Sequence, residues 1–104
     1  MEKNNYKICY FSTFENELNE IIYYVSNVLK NKKASERLLK NIEKSIKERS
    51  KNPESYARYE RSKKSKFVWY RIYVKNFIIF YTVEDNIMKV AHIIYSRRDI
   101  ERYI

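Results

Sequence analysis

The side chains of this chain best suited to chemistry are arginines set on or beside apolar strands. The chain ends "AHIIYSRRDIERYI" (91–104), an apolar run that empties into Tyr95, Arg97, Arg98 and Asp99. Arg71 likewise interrupts "FVWYRIYV" (67–74). A guanidinium is a planar fork of N–H donors that matches phosphate or carboxylate oxygens. It stays charged, so it holds anions well and serves poorly as a base. These arginines are therefore candidate anion holders. The competing reading makes Arg97 and Arg98 solvated strand ends, with Asp99 capping the C-terminal turn. A basic tract, Lys63, Lys64 and Lys66, is either solvated or a salt-sensitive, sequence-blind contact to nucleic acid.

Other chemistries have little material. His92 is the single histidine; its alternation partners Val90 and Ile94 favour a packed structural role. Cys9 is the single cysteine, which rules out an intramolecular disulfide and a cysteine zinc cluster and suits a small buried hydrophobe. No cofactor is expected. With 22 Lys+Arg against 13 Asp+Glu, the formal net charge is +9, which points to a polyanionic or acidic partner. No stretch approaches the length of a membrane span and no signal-peptide layout is visible, so no membrane partner and a cytoplasmic location are expected. The eleven tyrosines and absent glycines match an A/T-rich coding sequence and carry little functional weight. Without glycine, turns that need positive φ fall to Asn or Asp, with Asn76 and Asn86 placed for it.

The elements that must position these residues follow from periodicity. "YKICYF" (6–11) suits a first strand. Ser12 and Glu15 form a capping-box pattern ahead of Phe14, Leu18, Ile21, Ile22, Val25, Val28 and Leu29, whose spacing predicts an amphipathic helix over 13–30. After a polar break at 30–33, Ala34, Leu38, Leu39, Ile42 and Ile46 form the stripe of a second helix with a strongly basic opposite face, ended by Pro53. Residues 53–66 read as a loop. Strands at 67–74, 77–83 and 87–95, joined by turns of two or three residues, favour an antiparallel meander. The expected fold is α+β: an N-terminal strand, a helical hairpin, then a three-stranded antiparallel meander, forming one mostly antiparallel sheet with the helices on one face. In the strand at 67–74 the aliphatic side (Val68, Tyr70, Ile72, Val74) belongs against the helices. Phe67, Trp69, Arg71 and Tyr73 then lie on the open side, with Trp69 a sheet or partner-contact anchor.

This order of elements, together with Arg71, Tyr81-Thr82-Val83, Glu84-Asp85 and Tyr95-Ser96-Arg97-Arg98-Asp99, resembles the RelE/ParE superfamily of toxins from bacterial type II toxin–antitoxin modules. The resemblance covers nearly the whole chain, as one toxin domain over 1–104. It implies an acidic antitoxin that folds over the toxin, which suits a chain of this charge. The basic face of the second helix and the open sheet groove are the surfaces expected to receive it. It also implies one of two activities. RelE-like members cut messenger in the ribosome; ParE-like members inhibit DNA gyrase without chemistry. A third outcome is a relic that only binds its antitoxin.

Metal-independent RNA cleavage needs a base for the 2′-hydroxyl, cations for the phosphorane and an acid for the leaving oxygen. By the resemblance, Arg71 and Arg98 carry over as phosphate holders and Tyr95 as a stacking or proton-transfer group, making these three the catalytic candidates. Lys66, Lys75, Arg97 and Tyr103 are the nucleic-acid-binding candidates. The nucleases also place an arginine at the start of the strand where this chain has Phe77 and Ile78. Losing a positioned cation there costs about a hundredfold or more in rate. Either Lys75 replaces it or the chain is no ribonuclease. The "RRDI" ending resembles the ParE side at least as closely.

Overall fold

The computed structural model describes residues 6–59 and 67–97. Period-two alternation builds most of the sheet: β1 (Lys7–Tyr10), β2 (Arg58–Tyr59), β3 (Trp69–Val74), β4 (Phe77–Glu84) and β5 (Ile87–Tyr95), in the order β1-β5-β4-β3-β2. All neighbours are antiparallel except β1, which runs parallel to β5. Between β1 and β2 lie α1 (Ser12–Tyr23), a wide turn over Tyr24–Val28, and α2 (Lys32–Arg49). The α+β order read from the sequence is the order of the structure. The expected loop hides β2, whose two residues pair with Trp69 and Tyr70; a strand that short carries no periodic signal.

The helices cover one face. Phe14, Leu38, Ile42 and Ile46 meet Tyr70, Ile72, Val74, Ile79, Tyr81, Met88, Val90 and Ile93 in a single apolar core. The opposite face is not bare. Trp69, Ile78, Phe80, Ala91 and Ile94 form a second cluster, with Tyr59 packed against it. A bulge divides the two. Phe80 pairs with His92 but Tyr81 with Val90, so Ala91 is an extra residue in β5. The insertion flips the alternation, and His92 shares a face with Ile94 and not with Val90 as strict period two implied.

Several local expectations change. Ser12 is the first helical residue and Phe11 holds the cap position, with no side-chain cap bond. Asn31 caps α2 instead, accepting from the Ala34 N–H at 3.1 Å, so the helix starts inside the polar break. It ends at Arg49, before Pro53, which opens a 3-10 turn (Pro53–Ser55). The first helix closes on a π-type turn in which the Leu29 N–H reaches the Tyr24 carbonyl. That wider turn rotates Val28 and Leu29 off the core stripe, and both are exposed. Cys9 is exposed on the edge strand rather than buried. The β3–β4 turn takes positive φ at Lys75 (54°), not Asn76, whereas Asp85 and Asn86 both adopt it in the β4–β5 turn. Val68, assigned to the core side, is exposed ahead of β3.

Candidate binding face and the arginine pair

The β3 alternation sends Arg71 away from the helices, as the sequence implied. Its guanidinium carbon lies 4.7 Å from the Tyr59 ring centroid and 5.7 Å from that of Tyr73. Tyr59 comes from β2 and Tyr73 from β3's own alternation, so edge pairing and strand period together build the aromatic seat. Among the described residues no carboxylate is within ion-pair distance of Arg71. A cation stacked on rings keeps its N–H edge available for an incoming anion. Around it lie the exposed rings of Phe67 and Tyr73 over the second apolar cluster.

A second arginine does different work. Arg49, in the last turn of α2, donates through Nη1 to the Arg71 carbonyl (3.1 Å) and to the Tyr81 hydroxyl (2.8 Å). Its guanidinium lies 3.5 Å over the Tyr56 ring. The Tyr81 hydroxyl in turn donates to the Pro53 carbonyl at 2.7 Å. Burial pushes the Tyr81 phenol up to about 12, against the lowering effect of Arg49. This network ties the end of α2 and the following turn to β3 and β4, directly behind Arg71. Sequence reasoning missed Arg49, because a cation in the last helical turn is ordinary and gives no distinguishing signal.

The remaining candidates among the described residues do not join Arg71. Tyr95 pairs with Phe77, their rings 5.5 Å apart, on the helix side of the sheet. Arg71 is two strands away, about 10 Å across, and on the opposite face. Lys75 and Arg97 are exposed at the end of the sheet, where the Ser96 N–H bonds the Asn76 carbonyl at 2.8 Å. They neighbour each other and not Arg71. Lys63, Lys64, Lys66, Arg98, Asp99 and Tyr103 lie outside the described residues.

His92 is held as a structural histidine. Its Nδ1 lies 3.2 Å from Glu17 Oε2 and its ring 6.2 Å from that of Trp69. Glu17 Oε1 also accepts from the Ile93 N–H (2.9 Å), and Thr13 donates to the Ala91 carbonyl (2.7 Å). Beyond Tyr10, β1 no longer covers β5. Thr13 and Glu17, one helical turn apart, take over its exposed backbone groups at the bulge.

The β1–hairpin–meander order is shared with known proteins. The family model described as "ParE toxin of type II toxin-antitoxin system, parDE" matches residues 10–100. The chain belongs to the ParE toxin family. This ParE chain is similar in fold to a solved structure described as "Chromosomal ParDE TA system from P. aeruginosa", with a TM-score of 0.69 and 13% sequence identity, over 88% of this chain and 97% of that one. No curated protein sequence matches it. ParE membership makes the chain the toxin of a type II toxin–antitoxin system. No helix among the described residues is long and apolar enough to cross a membrane.

Proposed function

We propose that this ParE protein arrests growth in the cytoplasm by binding DNA gyrase, without chemistry of its own, and is neutralised by an acidic antitoxin segment laid on the Arg71 face. The observation that carries the reading is the separation of Arg71 from Tyr95 by the thickness of the sheet. RNA cleavage asks for proton transfer and phosphate stabilisation around one phosphorus. Arg71 sits among tyrosine rings and apolar side chains, with no carboxylate within ion-pair distance among the described residues. That surface suits a ligand with a carboxylate flanked by apolar side chains, such as an amphipathic acidic peptide.

Supercoiling by purified gyrase in the presence of the toxin tests the target. Inhibition relieved by the cognate antitoxin is the expected result; full supercoiling with excess toxin defeats the reading. Translation reactions with purified ribosomes test the alternative, ribosome-dependent messenger cleavage, in which Arg71, Arg98 and Tyr95 would act together. Messenger should stay intact. For the antitoxin face, Arg71→Ala should weaken binding of an acidic antitoxin peptide about tenfold to a hundredfold, as expected when a charge-assisted bond of 1.5–3 kcal/mol is lost.

A further inference from the structure

We propose that the outer stripe of α2 is a contact surface for the phosphate backbone of duplex DNA, separate from the Arg71 face. Lys33, Arg37, Lys40, Lys44 and Lys47 recur along α2 at intervals of three and four residues, with Lys51 in the turn that follows, and all six are exposed. At 3.6 residues per turn the five on the helix share an arc directly opposite the buried Leu38, Ile42 and Ile46. Along the helix the stripe rises about 21 Å, one cation for each turn of about 5.4 Å. The acidic residues Glu36, Glu43 and Glu48 flank the arc without entering it.

Glu36 and Glu43 stand four residues before Lys40 and Lys47, the spacing at which a solvated helix face pairs its charges, yet those pairs are not closed. Among the described residues, no cation of α2 lies within ion-pair distance of a carboxylate. Lys33–Arg37 and Lys40–Lys44 are like-charge neighbours one turn apart, each costing a few tenths of a kcal/mol. The fold tolerates repulsion there that substitution could remove. A polyanion relieves it.

The choice of polyanion follows from what the stripe lacks. A disordered acidic peptide must bury apolar surface to offset its ordering entropy. The exposed face of α2 offers only charged and amide side chains, and its shallow cleft of about 240 Å³ is lined by Lys33, Glu36, Arg37 and Lys40. Exposed aromatic surface for a peptide lies on the sheet, at Phe67 and Tyr73. A rigid polyanion with regularly spaced charges needs no apolar contact, and duplex DNA is one. The inference goes beyond the gyrase reading and does not require it, because DNA is bound here without any other protein.

Fluorescence anisotropy with a labelled random-sequence duplex of about 20 base pairs, at salt from about 50 to 200 mM, reads the interaction and its salt slope. One variant carries Arg37→Gln, Lys40→Gln, Lys44→Gln and Lys47→Gln, which preserve helix propensity. A charge-matched variant neutralises the exposed Lys7, Lys30, Lys32 and Arg58, which lie off the stripe, in the same way. Circular dichroism confirms that both fold. The stripe variant should lose more than tenfold in affinity, with its salt slope reduced by about 3.6. The matched variant should keep most of both. Equal losses in the two variants would reduce the effect to net charge and overturn the proposal. So would a loss confined to the matched variant, or absence of wild-type binding at the lowest salt. Tighter stripe-dependent binding of polyglutamate or of single-stranded RNA than of the duplex would overturn it as well.

Discussion

Replacing Tyr81 by Phe removes one oxygen from the junction of α2, β3 and β4. That oxygen accepts from Arg49 at 2.8 Å and donates to the Pro53 carbonyl at 2.7 Å, at a residue with no exposed surface. A hydrogen bond from a charged donor is worth about 1.5–3 kcal/mol and a neutral one about 1 kcal/mol. Arg49 keeps its bond to the Arg71 carbonyl and its seat on Tyr56, which offsets part of the loss. The expected destabilisation is about 2–3 kcal/mol, or a fall in Tm of roughly 10–20 °C for a domain of this size. Urea unfolding at neutral pH measures it.

Alkaline titration supplies an independent signature. The folded phenol is raised to about 12 from an ordinary 10.0, so the folded state holds this proton where the unfolded state has released it. The stabilisation is complete below pH 10 and is lost as pH rises towards 12, up to about 2.7 kcal/mol for two pH units. The other tyrosines and the lysines titrate in both proteins. The difference between wild type and Tyr81→Phe should therefore shrink across pH 10–12. A destabilisation below about 0.5 kcal/mol, with parallel pH profiles, would refute the claim that this hydroxyl anchors the helix to the sheet.

Glu17→Ala strips the carboxylate from the Ile93 N–H and His92, and should cost about 1–3 kcal/mol in urea unfolding, with faster amide exchange at Ile93. Lys75→Gly relieves the left-handed backbone at φ 54° and should raise stability by about 0.5–1 kcal/mol, read as an increase in Tm. Glu84 is held below the usual carboxylate range by its hydrogen bond from Lys89. Its pairing is present at neutral pH and disappears as pH falls through the depressed folded value. In NMR titration the Glu84 midpoint should move up towards 4.5 in Lys89→Met and stay low in the wild type.

Periodicity by itself was enough for the order of every element except the two-residue β2, the helix-facing side of β3 and the outward direction of Arg71. Each of those depends on which residues alternate or recur along one segment. It failed where the ladder breaks step. The Ala91 bulge reverses His92, and the wide turn after α1 exposes Val28 and Leu29; one extra residue leaves no mark in an apolar run. The site divides the same way. That Arg71 is a cation aimed off the core was legible, as was the basic outer face of α2. That Tyr59 and Tyr73 seat its guanidinium, that Arg49 braces its carbonyl, and that Tyr95 lies across the sheet were decided by pairing. Residues far apart in sequence meet only through strand register and helix docking, and those are set by the whole core at once.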